Sequence, residues 1–152
     1  MRTEQADLTV FAQDFPEARL VLELKSGIVS PSDVDAAVKQ VARYMWGSNC
    51  HYGLIMTPTK TYVLRDDFMA PGPESIRVTD ILATATVLSR LSRPISGGVS
   101  EQQLESLARE WLQKLASSYE TALPDDPDVT RALFPDIVGA VAGGRVVPEV
   151  PA

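Results

Sequence analysis

Residues 19–25 constrain the fold more than any other part of the chain. In this segment, RLVLELK, three leucines alternate with Val21, Glu23 and Lys25, so the two groups point to opposite faces of a strand. A carboxylate and an ammonium therefore stand side by side on a strand that is otherwise apolar. Charged groups occupy such positions when they are paired, lie at an edge or bind a metal.

The hydrophobic pattern on either side of this segment predicts the first half of the fold. LTVF at residues 8–11 predicts a preceding strand, joined to residues 19–25 by a turn. Apolar residues then recur at intervals of three and four, which predicts a helix from Ser30 as N-cap to about Trp46. YGLIMT and KTYVLRD predict a second pair of strands, with Pro58 in the turn between them.

The second half carries mainly helical signals. The segment TDILATATVLSRLS predicts a helix that begins at Thr79, followed by a flexible joint at RPISGG. Ser100 and Gln103 form a capping-box pattern at the start of an amphipathic helix. A short helical stretch is predicted for residues 129–142, where two glycines end it, and the last residues are expected to be a loose tail.

This order of elements predicts an α/β fold, with a mixed sheet flanked by helices and a helical C-terminal half. We expect residues 1–67 to form the α/β core and residues 76–142 a helical extension that packs on the core or forms an interface. Residues 143–152 would be the tail. A chain of 152 residues suits a single domain.

Charge and composition exclude several functional classes. The net charge of −6 argues against a protein whose whole surface binds nucleic acid. Residues 36–65 nevertheless carry four basic residues and no acidic residue, namely Lys39, Arg43, Lys60 and Arg65. The single histidine excludes most hydrolase triads, and there is no glycine-rich phosphate loop. One cysteine and no long apolar run predict a cytoplasmic protein without a membrane segment.

Two acidic residues are candidates to join Glu23 in a metal site. Asp7 begins the first strand, and a hairpin would bring it close to Glu23. Two carboxylates that converge on one point repel each other unless a cation lies between them. Asp14 competes for this role, but it falls in the turn, where Asp is common for other reasons. Asp7 is therefore the preferred candidate.

These residues resemble the motif of the PD-(D/E)xK nuclease superfamily, in which an Asp begins one strand and Glu-x-Lys lies on the next. Asp7 and Glu23-Leu24-Lys25 occupy those positions here. On the following helix, Gln40 and Tyr44 are similar to the Gln-x-x-x-Tyr motif of the exonuclease and restriction-subunit branches. The resemblance covers roughly residues 6–66 and implies a restriction-endonuclease-like fold.

The resemblance also implies roles for individual residues. Asp7, Glu23 and the backbone carbonyl of Leu24 would bind Mg²⁺, with Mn²⁺ as an alternative. Lys25 would position or deprotonate the attacking water and stabilise the phosphorane oxygens. Gln40 and Tyr44 would orient the nucleic-acid backbone or the metal-bound water. The four basic residues at positions 39, 43, 60 and 65 would contact phosphates.

One departure from the family pattern concerns the start of the core. Family members usually have a helix and a further strand before the Asp strand, whereas six residues precede Asp7 here. The sequence could be part of a longer chain, or the C-terminal helices or a second subunit could fill that space. A homodimer or a partner subunit bound through the helical half is the corresponding expectation.

The leading functional hypothesis is a Mg²⁺-dependent nuclease that acts on nucleic acid, preferably DNA, in restriction, defence or repair. The alternative is a catalytically inactive domain of the same fold that binds nucleic acid or a protein. A structural oligomerisation module is the third hypothesis.

Overall fold

The computed structural model describes residues 7–14, 16–26, 30–91 and 99–148. Its strands are β1 (Leu8–Phe11), β2 (Ala18–Leu24), β3 (Tyr52–Met56), β4 (Lys60–Asp66), β5 (Ile76–Ala83) and β6 (Arg145–Pro148). Its helices are α1 (Pro31–Gly47), α2 (Thr84–Val87), α3 (Glu101–Ser117), α4 (Tyr119–Ala122), α5 (Pro127–Leu133) and α6 (Asp136–Val141). The described chain is therefore an α/β fold, as the sequence predicts.

The strands form one mixed sheet in the order β5-β4-β3-β2-β1-β6. β2 and β3 are parallel and are connected through α1, whereas every other neighbouring pair is antiparallel. The ends of β2 and β3 that follow Leu24 and Met56 consequently lie at the same end of the sheet, together with the starts of β1 and β4. We call this the acidic end, because Asp7 and Glu23 lie there.

Helix α1 begins as its sequence predicts. The Ser30 hydroxyl accepts the Asp33 N–H, and the Asp33 carboxylate accepts the Ser30 N–H. This capping box satisfies amide groups that a helix start otherwise leaves without partners, and Pro31 is accommodated in the first turn. The predicted capping box of Ser100 and Gln103 likewise begins α3. Both helices are confirmed.

Helices cover both faces of the sheet. On one face, α1 packs on a cluster of buried residues that includes Val21, Ile55 and Leu64. The approach is close at Gly53, because a Cβ there would lie 2.6 Å from the Met45 sulfur. On the other face, the C-terminal helices pack on a larger cluster, in which Trp111 is buried among leucines of α3 and β2. The apolar side of α3 is thus covered by the sheet.

Residues 76–83 form strand β5, so the predicted helix that begins at Thr79 is wrong. The segment pairs with β4 along its length, from Asp66 opposite Ile76 to Lys60 opposite Ala83. It is rich in β-branched residues, which fit a pleated surface well. Pairing with β4 therefore outweighs the helical spacing of its apolar residues, and among the described residues of the predicted helix only Thr84–Val87 is helical.

The predicted loose tail is also wrong in part, because Arg145–Pro148 forms β6. This strand pairs antiparallel with β1, with Phe11 opposite Arg145 and Leu8 opposite Pro148. Gly144 precedes it at a point where a Cβ would lie 2.8 Å from the Phe11 carbonyl oxygen, so only glycine fits there without displacement. The rest of the predicted tail, residues 149–152, and the predicted joint at residues 93–98 lie outside the described residues.

The described helices also bear on the prediction that no membrane segment exists. None of them combines the length and the apolar character that crossing a lipid bilayer would need. Cys50, the only cysteine of the sequence, is buried as a free thiol. The cytoplasmic location stays a prediction.

Candidate metal and nucleic-acid site

Asp7 and Glu23 lie opposite each other across the β1–β2 hairpin. Leu8 pairs with Leu22, so the next position along the register places Asp7 beside Glu23. Val21 contacts the α1 side of the sheet, whereas Leu22 belongs to the cluster on the other side. Because side chains alternate along strands, Asp7 and Glu23 are both directed to the α1 side.

A hydrogen bond fixes the orientation of the Asp7 carboxylate. Its Oδ2 accepts the backbone N–H of Leu24 at 2.8 Å. The N–H and C=O of one residue point to the same side of an extended strand. The Leu24 carbonyl is therefore directed toward the same side of β2 as the Asp7 carboxylate.

Both carboxylates are almost removed from water. Asp7 is 9% exposed and Glu23 is 4% exposed. Burial of a carboxylate is unfavourable unless hydrogen bonds or positive charge offset the lost hydration. Both carboxylates interact with other groups of the folded chain, and these interactions offset part of the lost hydration.

The donor set suits a hard divalent cation. Two carboxylates and one backbone carbonyl supply oxygen ligands, which Mg²⁺ prefers, and this ion usually retains several waters. Within the described ranges, no group of three or more His, Cys, Asp or Glu side chains converges on a metal position. A site at Asp7 and Glu23 would therefore be completed by the carbonyl of Leu24 and by water or phosphate oxygens.

Lys25 continues β2 at the acidic end and lies near the start of α1. Its backbone N–H donates to the Met56 carbonyl at 3.0 Å, which holds it beside β3. The pKa of the Asp33 carboxyl is lowered, first by hydrogen bonds from the Ser30 backbone and hydroxyl and then by the positive charge of Lys25. The positive charge of Lys25 thus acts on the Asp33 carboxyl at the start of α1.

Gln40 and Tyr44 lie on the flank of α1 that faces β2. Successive residues of an α-helix are about 100° apart, which puts both on the same flank as Asp33. The opposite flank borders the turn at Pro73–Ser75, beside β5. Gln40 and Tyr44 are both half-buried, and Tyr44 packs on the cluster under α1. The structure therefore brings them to the same side of α1 as Lys25.

The four basic residues of the region between residues 36 and 65 do not form one surface. The Lys60 carbonyl accepts the Thr57 N–H at 2.8 Å. Thr57 directly follows Met56, so Lys60 lies at the acidic end. It shares the α1 side with Tyr62, because the two are separated by one residue of β4. Lys39 and Arg43 lie instead on the flank of α1 beside Pro73–Ser75.

Arg65 is directed away from the acidic end and to the opposite face of the sheet. Its guanidinium donates to the carbonyl of Ala132 in α5 and forms an ion pair with Asp80 at 3.0 Å. These contacts hold β4 and β5 against α5. We therefore remove Arg65 from the set of candidate phosphate contacts.

Asp14, the competing carboxylate, lies at the other end of the hairpin. It lies three residues after Phe11, the last residue of β1, and is exposed in the turn that leads to β2. The register of the hairpin separates it from Glu23 by the full length of β1. Asp7 is thus the carboxylate that the fold brings to Glu23.

One neighbour of the site, Asp33, was not singled out by the sequence reasoning. Its role as a helix cap hides its position near Lys25, although SPSD follows ELKSGIV closely in the sequence.

Searches of protein-family models, curated proteins and solved structures find no match to this chain. The geometry of the acidic end is therefore the feature of the molecule that bears on its function.

Proposed function

We propose that this protein is a Mg²⁺-dependent nuclease that hydrolyses phosphodiester bonds of nucleic acid, with DNA as the favoured substrate, in restriction, defence or repair. The observation that carries the proposal is the register of the β1–β2 hairpin. It sets two nearly buried carboxylates against each other, with Lys25 two residues further along the same face. A cation between the carboxylates gives this arrangement a physical reason.

In this proposal each residue of the site has a separate role in hydrolysis. A bound Mg²⁺ would supply positive charge at the scissile phosphate and lower the pKa of a coordinated water. Asp7, Glu23 and the Leu24 carbonyl would hold it. Lys25 would orient the attacking water and stabilise charge that develops on the phosphate oxygens. Gln40 and Tyr44 would position the nucleic-acid backbone from α1.

The C-terminal half supports a restriction-endonuclease-like interpretation of the fold. The family resemblance implies a helix and a strand before the Asp strand. Here β6 pairs with the outer edge of β1, and α3 packs on β6 and β2. A strand and a helix thus flank the Asp strand although both come from the end of the chain. We therefore propose that the C-terminal half takes the place of the helix and strand that the resemblance implies.

The proposal is tested by cleavage of supercoiled plasmid and of single-stranded DNA in the presence of Mg²⁺ or Mn²⁺. The wild type should cut one of them, and chelation of the metal should stop the reaction. Asp7→Ala and Lys25→Ala should both lose cleavage while they keep the circular-dichroism spectrum of the wild type. RNA of the same sequence in a parallel reaction identifies the type of nucleic acid.

Asp14→Ala is the matched control. It removes an aspartate from the same hairpin, but at the end remote from Glu23, so cleavage should not change. A wild-type protein that is folded, does not cut and shows no heat of Mg²⁺ binding by calorimetry would overturn the proposal. The alternative function, an inactive nuclease-like domain that binds nucleic acid or a protein, would then be the better one.

A further inference from the structure

A second site-like feature lies at the end of the sheet opposite to the acidic end. A cleft of about 430 Å³ opens between the C-terminal end of α1 and the loop that connects β4 to β5. Its walls include the rings of Trp46, His51 and Phe68, with the polar side chains of Asn49 and Asp66 between them. We call this feature the aromatic cleft.

Two of the rings are unusually exposed. Trp46 is 55% exposed and Phe68 is 68% exposed, and Met69 beside the cleft is 78% exposed. Large apolar side chains left in water at one place are typical of binding surfaces. The volume of the cleft also lies in the range of small-ligand sites.

The loop holds Phe68 in this outward position through specific contacts. The Asp66 carboxylate accepts the Phe68 N–H at 2.9 Å and the Ser75 hydroxyl at 2.6 Å. Phe68 and Asn49 both have positive φ angles, 57° and 55°, which residues other than glycine rarely adopt. His51 meets the Phe68 ring edge-on at 5.1 Å between centroids. The ring is therefore pre-positioned at the mouth of the cleft.

We infer that the aromatic cleft binds a nucleobase of an unpaired nucleic-acid strand. The flat faces of Trp46 and Phe68 suit stacking on a base, which every base offers irrespective of its identity. Asn49 supplies an amide that can both donate and accept a hydrogen bond at a base edge. The inference rests on the proposed function insofar as the ligand is nucleic acid.

The charge along α1 favours a phosphate-bearing ligand over an apolar protein segment. Lys39 and Arg43 precede Trp46 by two turns and by about one turn, and both are exposed. They border the neighbouring depression, which also contains Glu74, so two basic groups and one carboxylate adjoin the cleft. Phosphates that follow a stacked base would meet these side chains, which contribute sequence-independent affinity.

The position of the cleft specifies how a substrate strand would lie. Asp33 and Trp46 are separated along α1 by about 20 Å at the usual rise of an α-helix. A strand with its base in the aromatic cleft would pass Lys39 and Arg43 on one flank of α1 and would then cross the start of the helix to place a phosphate at the acidic end. The substrate class is then a single strand or an unpaired end, because bases in a duplex are already stacked on each other.

The test is binding of a short oligothymidylate to the full chain without metal and with a chelator, so that no cleavage contributes. Trp111 is buried and Trp46 is exposed, so stacking should quench the emission of Trp46 and leave that of Trp111. Anisotropy of a labelled oligonucleotide gives the affinity of variants that lack the tryptophan. Thymidine monophosphate in a parallel titration should bind more weakly, because it cannot also reach Lys39 and Arg43.

Trp46→Ala and Phe68→Ala should each weaken oligothymidylate binding about tenfold, and Trp46→Phe should restore most of the affinity. Ile81→Ala is the matched control, since Ile81 is 58% exposed but lies on β5, outside the cleft. Unchanged affinity in Trp46→Ala would overturn the inference. So would a Trp46 emission that responds to protein concentration and not to DNA, which would indicate that a second copy of the chain covers the cleft.

The two proposals can fail separately. Binding that depends on Trp46 in a protein that never cuts DNA would support the cleft and reject the nuclease. Cleavage of DNA that depends on Asp7, in a protein whose binding does not depend on Trp46, would support the nuclease and reject the cleft.

Discussion

The two ends of the sheet depart from the usual distribution of side chains in opposite ways. At the acidic end, Asp7 and Glu23 are carboxylates that folding removes from water. At the other end, Trp46 and Phe68 are apolar rings that folding leaves in water. Each arrangement is unfavourable for stability by itself. Helix α1 runs between the two ends, from Pro31 near the acidic end to Gly47 beside the aromatic cleft.

Glu23→Gln should have the largest effect and should act at the acidic end only. The substitution keeps the size of the side chain and removes its charge, so cleavage should fall about a hundred- to a thousandfold. The amide keeps the volume of the side chain, so the variant should keep the circular-dichroism spectrum of the wild type. Initial cleavage rates and circular dichroism measure the two properties.

Glu17→Gln is the control for that substitution. Glu17 precedes β2 at the remote end and forms an exposed ion pair with Arg19 at 3.5 Å. Its loss should change neither cleavage nor stability beyond experimental error. Equal rates for Glu23→Gln and the wild type would exclude Glu23 from the reaction.

Gly53→Ala should disturb the aromatic end more than the acidic end. The new Cβ would lie 2.6 Å from the Met45 sulfur and 3.2 Å from a Val41 methyl, both on the C-terminal half of α1. Relief of this overlap should displace that half of the helix and reduce the free energy of unfolding by about 1–3 kcal/mol. Thermal denaturation and Trp46 emission measure the effect. Gly139→Ala, where no atom lies within 4 Å, is the control.

Cys50 provides a pH-dependent test of packing behind the aromatic cleft. Burial raises the pKa of its thiol from 9.0 to about 11. The unfolded chain therefore loses the thiol proton first, so the thiol's contribution to stability is complete below pH 9 and declines as the pH rises toward 11. Between about pH 8 and pH 10, the wild type should lose ~1 kcal/mol relative to Cys50→Ala.

That difference is measured by urea denaturation of both proteins under reducing conditions. Other groups that titrate in this range are common to the two proteins and cancel. A constant gap between the two unfolding free energies would mean that water reaches the thiol at this end of the fold.

The smallest expected effect is that of Trp46→Ser on stability. Because the ring is 55% exposed, its loss should reduce the free energy of unfolding by no more than about 1 kcal/mol. A larger decrease in chemical denaturation would show that Trp46 contributes to packing, and would weaken the contrast between the two ends. The same substitution in Trp111 should prevent stable folding, since Trp111 is buried in the core.

The sequence predicts elements well where a pattern repeats locally. The alternation in residues 19–25 and the spacing of Ala37, Val41 and Met45 depend on neighbours a few residues away, and β2 and α1 follow them. In β5 the apolar residues satisfy both periods, and the decision depends on β4. Residues 145–148 carry almost no local signal, because their partner is β1 at the other end of the sequence.

The residues of the candidate site also differ in how well the sequence predicts their positions. Asp7 and Glu23 belong to one hairpin, so their opposition follows from local register. The direction of a basic side chain depends on the face of its element, which a charge count does not contain. Arg65 lies on the face of β4 that contacts α5. Lys60, at the start of the same strand, lies on the other face and at the acidic end. The aromatic cleft depends on a loop conformation that no periodicity indicates.

The pairing of β1 with β6 has a consequence for synthesis of the protein on the ribosome. Between Phe11 at the end of β1 and Arg145 at the start of β6 lie 133 residues, so β6 leaves the ribosome well after β1. At a rate of about 5–20 residues per second, the hairpin waits several seconds with one edge open. The hairpin that sets Asp7 against Glu23 thus completes its pairing only after β6 has been synthesised.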